Sequence, residues 1–184
     1  KYLGAPYKPS APDRAVGGAV KYFYYERLTE PLQRVYDAIL QAALEHRDEA
    51  EGGELDAQEI FRAKNAVKYD HPELFWFKTV SVSGSKILLQ YGVTKAEADA
   101  LQKQIDASAA KYLEGIRDDM SAYDVALRIH LRMIAEIDYD TIALERQQKE
   151  GGCADDKIDY LRTICGPFLR GTAVCEGYAR AVQY

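Results

Sequence analysis

The 184 residues, 47% hydrophobic and 29% charged, fall in the ordinary range of folded soluble chains and are enough to bury a core. The formal charge of −5 comes from acids and bases mixed along the chain, so no stretch offers the basic stripe that would read as nucleic-acid binding. No apolar run reaches the roughly 20 residues needed to span a bilayer; the longest, Ala19 to Tyr25, is broken by Lys21.

Residues 1–20 form a Pro-rich, extended lead that begins at Lys1 rather than Met. That start reads as a trimmed product and leads us to expect an extracellular or cell-envelope protein. Lys21-Tyr-Phe-Tyr-Tyr suits a strand or an arm packed on a surface. Thr29 offers an N-cap and Pro31 fits a first turn. Leu32, Val35, Tyr36, Ile39, Leu40 and Ala43 then recur on one face of a helix that should run to about Arg47. Gly52-Gly53 stops the pattern, and Asp56 with Glu59 makes a capping box for a second helix carrying Ile60, Phe61, Ala63 and Val67. His71-Pro72 ends it. The run Glu73 to Val82 reads as a strand, Ser83-Gly84-Ser85 as a turn, and Lys86 to Gly92 as the hairpin partner. Thr94 and Glu97 cap a long helix through Leu101, Ile105, Ala109, Tyr112 and Ile116, closing an N-terminal unit over 21–118.

A second unit, 119–184, opens with Ser121 and Asp124. The helix they start carries Val125, Leu127, Ile129, Leu131, Ile134 and Ile137 around much of its circumference, which predicts a well-buried element ending at Asp138-Tyr-Asp. The charged stretch Glu145 to Asp156 reads as a loop, and Ile158, Leu161 and Ile164 as a short helix before Gly166-Pro167. Val174 to Tyr184 is helical in pattern with Cys175 in its first turn. A thiol placed there meets unpaired backbone N–H groups and the positive end of the helix dipole, both of which favour the thiolate, the reactive form. Without more, a cysteine among Val174, Gly177, Tyr178 and Ala179 is more often a small core residue than a nucleophile.

Other chemistry is thin. Cys153, Cys165 and Cys175 are an odd count, leaving at least one unpaired thiol; a Cys153–Cys165 disulfide and buried free thiols are the alternatives for the other two. Cys153, Asp155, Asp156 and Cys165 match no zinc spacing, so no metal and no cofactor is expected. Of the three histidines, His46 reads as a solvated helix end, His71 as a turn residue before proline, and His130 as a hydrogen-bonded member of a buried helix.

Gly171-Thr-Ala-Val-Cys-Glu-Gly-Tyr-Ala-Arg-Ala resembles the nucleophile motif of bacterial transglutaminase-like proteins, in which a glycine turn leads into Val-Cys-x-Gly-Tyr-Ala. The helix ending Ile137-Asp-Tyr-Asp and the segment Asp70-His-Pro-Glu-Leu-Phe-Trp are similar to parts of the same proteins. The resemblance implies an α+β chain, mostly helical, with a small β-hairpin and the first half of a papain-like core. In such a core Cys175 attacks a peptide or carboxamide carbonyl, a histidine takes its proton, and an aspartate orients the histidine. Only Cys175 maps residue by residue, because in the family the histidine and aspartate follow the cysteine. The expectation is a protease, amidase or cross-linking enzyme with a protein or peptide substrate, inactive as the 184-residue chain. Absence of the sheet would also bare the apolar face of the Cys175 helix, which points to a homo-oligomer or to association with the missing C-terminal half. The alternative is a non-catalytic extracellular binding or scaffold protein that uses Tyr22, Tyr24, Tyr25 and Trp76 for recognition.

Overall fold

The computed structural model describes residues 22–150 and 157–184. The chain is α+β and mostly helical, and it divides into two compact units that meet in sequence between Ala96 and Glu97. The expected lead over 1–20 and the cysteine Cys153 lie outside the described residues.

In the first unit, α1 (Glu30–Glu45) and α2 (Ala57–Asp70) accompany a three-stranded antiparallel sheet of order β1-β3-β2, formed by β1 (Glu49–Glu51), β2 (Phe77–Ser83) and β3 (Lys86–Tyr91). The anticipated hairpin is β2–β3, registered Ser83 opposite Lys86. Its turn uses Gly84 at φ 62°, where a residue with a Cβ is strained. The capping box at α2 is made in full: Asp56 Oδ1 accepts from Glu59 N at 2.8 Å, and Glu59 Oε2 accepts from Asp56 N at 3.2 Å. Tyr36, Ile39, Ile60, Val67, Phe77 and Ile87 are fully buried and form the core, whereas Phe61 is exposed beneath the Lys64 ammonium. The strand expected from Glu73 begins only at Phe77, because Leu74 to Trp76 form a buried turn in which Phe77 N donates to Leu74 O.

The aromatic arm is not a strand. It enters a 3-10 turn, Tyr25–Arg27, and is held by Asp70, whose carboxylate accepts from Tyr24 N at 3.0 Å, Tyr25 N at 2.9 Å and the Tyr36 hydroxyl at 3.2 Å.

The second unit holds α3 (Lys95–Tyr112, from Glu97 onward), α4 (Ala122–Glu136), α5 (Thr141–Glu150), α6 (Cys165–Arg170) and α7 (Cys175–Gln183). The short parallel pair β4 (Asp138–Tyr139) and β5 (Thr172–Ala173) joins the end of α4 to the start of α7. The N-terminal unit expected over 21–118 ends instead at Ala96, and nearly all of α3 belongs here. The Tyr112 ring meets Phe168 edge-on, and Gln102 Nε2 donates to the Tyr184 hydroxyl at 2.7 Å.

The helix over 122–136 is not well buried: Met133 is its only buried residue, and Leu127, Leu131 and Ile134 are exposed. The stretch from Glu145 is not a loop through Glu150, since α5 continues there; Asp140 Oδ1 accepts from Ala143 N at its start. The short helix before Gly166-Pro167 is displaced. Residues 158–164 turn without forming a regular helix, and α6 starts at Cys165, so that Pro167 sits in a first turn, where its missing N–H costs no helical bond.

Candidate functional site at the start of α7

Cys175 is the first residue of α7 and is exposed to solvent. Val174 precedes it in extended conformation and supplies no side-chain cap to the first-turn N–H groups. Val174 is itself buried, and its N–H donates to Leu161 O at 3.1 Å. Strand β5 leads in: Asp138 N donates to Gly171 O and Asp140 N to Ala173 O, which ties the cysteine turn to the end of α4.

The glycines around the thiol are there for clearance. Gly171 closes α6 at φ 65° in the left-handed region. A Cβ at Gly177 would collide with the Leu161 carbonyl oxygen and come within 3.0 Å of Ala173 Cβ; one at Gly166 would collide with the carbonyl oxygens of Tyr160 and Thr172. Helix α7 therefore approaches the 158–164 turn more closely than any side chain permits. Tyr178 anchors it from another side, donating its hydroxyl to Ile137 O and stacking on Tyr139.

Beside the cysteine, the Glu176 carboxylate is turned onto Arg180, which donates from Nη2 at 2.8 Å and from Nε at 3.1 Å, and lies 3.9 Å from Arg162 Nε. Cys165 has the opposite environment to Cys175. It is a fully buried free thiol, and burial pushes its pKa up to about 12 against smaller lowering effects from Thr163 and Arg170.

His46 is not solvated: it caps α1 at φ 53° and is half-buried between the rings of Trp76 and Tyr91, whose flat faces cover it. His71 is buried and bonds Glu73 through Nδ1 at 2.9 Å, while its Nε2 has no partner among the described residues. His130, expected in a buried helix with a hydrogen bond, is exposed on α4, because that helix buries little beyond Met133. It is the only histidine of the 97–184 unit, and no hydrogen bond joins it to Cys175. Of the aromatic residues weighed for recognition, Tyr24 alone is exposed. Trp76 is buried with Nε1 donating to Ala43 O, and Tyr22 and Tyr25 are half-buried.

Among the described residues no group of three or more His, Cys, Asp or Glu side chains is placed to hold a metal ion, and no helix is long and apolar enough to cross a membrane. Cys153, Asp155 and Asp156 of the weighed cluster lie outside those residues. Sequence patterning missed the buried His71–Glu73 pair, whose i, i+2 spacing across a proline carries no periodic signal. No protein-family model matches the chain, and no curated protein matches it at a significant level.

Proposed function

We propose that Cys175 is the nucleophile of a transglutaminase-like cysteine enzyme acting on a peptide or carboxamide substrate. The thiolate adds to the carbonyl carbon, the C–N bond breaks, and the departing amine takes the proton that a histidine base removed from the thiol. The resulting thioester is then resolved by water or by a second amine. The single observation that carries the reading is an accessible thiol at the first residue of an uncapped helix, set in a motif whose Gly171 and Gly177 each answer a backbone requirement. By the resemblance, the base and its orienting carboxylate follow the cysteine in sequence; His130 does not serve, being exposed and unbonded to the thiol.

The test is to express the natural coding region, mix the protein with p-nitrophenyl acetate or a glutamine-containing peptide, quench in acid, and map the adduct by mass spectrometry. Acylation confined to Cys175 and lost in Cys175→Ala is the expected outcome. Absence of any thioester, with turnover unchanged in Cys175→Ala, overturns the proposal. A second reading, a surface-binding protein, draws on Phe23, Tyr24 and Tyr69, exposed aromatic residues whose rings adjoin at 5.1 to 5.2 Å. It requires that ligand binding survive Cys175→Ala intact.

A further inference from the structure

The solvent side of α2 and the arm beside it carry a row of aromatic rings edged by cations. All of these residues belong to the unit that ends at Ala96, whereas Cys175 belongs to the other. Ile60, Ala63 and Val67 bury the inner side of the helix, which fixes the outer side in place. Phe61, Asn65 and Tyr69 follow one another on that outer side at helical spacing, so Phe61 and Tyr69 stand about 12 Å apart along the axis. The Tyr24 ring adjoins Tyr69 at 5.1 Å and the Phe23 ring adjoins Tyr24 at 5.2 Å, which extends the row onto the arm. Phe23 and Phe61 are 58% and 38% exposed.

The charges along this part of the helix have one sign. From Ile60 to Tyr69 it carries Arg62, Lys64 and Lys68 and no acid. The Lys64 ammonium stands 5.5 Å over the Phe61 ring, Lys68 Nζ donates to Lys78 O at 3.2 Å, and the Arg27 guanidinium lies 3.4 Å over Phe23. The acids that flank the run are engaged: Asp70 is buried under the amides of Tyr24 and Tyr25, and Glu59 closes the capping box at the start of the helix. Glu26, exposed beside Arg27, is the acid of the arm turn.

A local excess of cations in a chain of formal charge −5 attracts an anionic surface. A dissolved polyanion would neutralise the cations but leave the rings of Phe23 and Phe61 in water, since a phenyl ring has no group that bonds a phosphate or a sulfate. At a bilayer the rings enter the acyl boundary while Arg27, Arg62, Lys64 and Lys68 reach the headgroups on flexible stems. We propose that this face is a docking surface for an anionic lipid bilayer, with α2 lying along the interface and Phe61, Tyr69, Tyr24 and Phe23 turned toward the acyl chains.

The test mixes the 184-residue chain with vesicles of phosphatidylcholine, alone or with phosphatidylglycerol at about 30 mol%, and reads the bound fraction by sedimentation. Expected are binding to the anionic vesicles about tenfold or more tighter than to the neutral ones, and a loss of about tenfold or more as sodium chloride rises from about 0.05 to 0.5 M. Phe61→Ser and Tyr69→Ser, both at exposed positions, should each weaken binding about threefold or more, and Lys64→Gln combined with Lys68→Gln about tenfold. No sedimentation with anionic vesicles, equal binding to the two compositions, or affinity unchanged in Phe61→Ser and Tyr69→Ser overturns the proposal. Dextran sulfate bound as tightly as the anionic vesicles, with Phe61→Ser lacking any effect, overturns it in favour of a soluble polyanion. The comparison of the two lipid compositions uses the unmodified chain and stands even if a variant fails to fold.

Discussion

The two described cysteines should differ in alkylation by far more than exposure suggests, and the difference follows from burial. Cys165 has its pKa pushed up to about 12, so at pH 7 only about 1 in 10⁵ molecules carries its thiolate, against roughly 3% for an ordinary thiol near 8.5. That is a deficit of roughly 3,000-fold. The more basic thiolate is more nucleophilic, and a Brønsted slope of about 0.4–0.5 over some 3.5 units returns roughly 25- to 60-fold. The net expectation is that Cys165 in the folded chain reacts with iodoacetamide about 100-fold more slowly than an ordinary cysteine thiol near 8.5, before any steric exclusion. Cys175, exposed at its helix start, carries no such handicap, and a thiol activated to a pKa near 7 gains about 16-fold in thiolate and loses about 4- to 6-fold in nucleophilicity, so the proposed chemistry requires it to outpace an ordinary cysteine thiol by about threefold. The assay is quenched labelling at pH 7 followed by peptide mapping, with labelling in 6 M guanidinium as the reference state. Labelling of folded Cys165 within tenfold of the free thiol would refute the burial argument. Cys175 reacting no faster than the free thiol would leave it accessible but unactivated, against the enzyme reading.

Gly177→Ala should cost about 1–3 kcal/mol by forcing a Cβ onto the Leu161 carbonyl, read as a lower urea midpoint together with a changed Cys175 labelling rate; an unchanged midpoint contradicts the close approach. Asp70→Asn weakens three hydrogen bonds to a buried carboxylate, so a loss of about 2–4 kcal/mol is expected, accompanied by earlier exchange of the Tyr24 and Tyr25 amides. Alkaline stability has a definite sign. Because the folded chain keeps the Cys165 proton up to about 12 while the unfolded chain releases it near 8.5, the folded form holds more protons in that window and loses stability as pH rises, by about 1.4 kcal/mol per unit. The tyrosines Tyr36, Tyr91 and Tyr112, all raised first by burial, add to the slope above pH 10. Cys165→Ala should flatten the curve between pH 9 and 10, and an identical slope there would contradict the assignment.

Local signals were legible where the chemistry is local. The Asp56–Glu59 box, the Gly84 turn and the Ser121 cap each depend on residues within a few positions of one another, and each element forms where those residues place it, whereas Thr29 stands at the N-cap of α1 without a side-chain bond and Pro31 marks that helix's first turn. What patterning could not supply was the partner of an apolar face. Helix α4 has the composition of a buried helix, yet Met133 is its one buried residue, and its other recorded contacts are polar, such as those of Arg132 with the carbonyls of Lys111 and Tyr112. His46 failed for the complementary reason: it looked solvated because it ends a helix, but Trp76 and Tyr91, 30 and 45 positions later, close over it. Pro167 misled differently. A proline after an apolar stretch reads as a stop, while in a first turn it is equally a start.

The cysteine motif was legible as a pattern before its reasons were. Leu161 O accepts from Val174 N and bars a side chain at Gly177, and Tyr160 O and Thr172 O bar one at Gly166. Carbonyl groups of the 160–161 turn and of β5 therefore fix the entry into α7, with Tyr178 bonding Ile137 O from the far side. Backbone contacts of this kind hold position more tightly than apolar side chains, which shift between rotamers. It follows that Ala179 and Val182, on the exposed part of α7, can change without moving the thiol. A change at Gly166, Gly171 or Gly177 must move it. Labelling kinetics of Cys175 across these two groups of variants separates a thiol positioned by its backbone from one that is merely exposed: the first demands that only the glycine variants alter the rate.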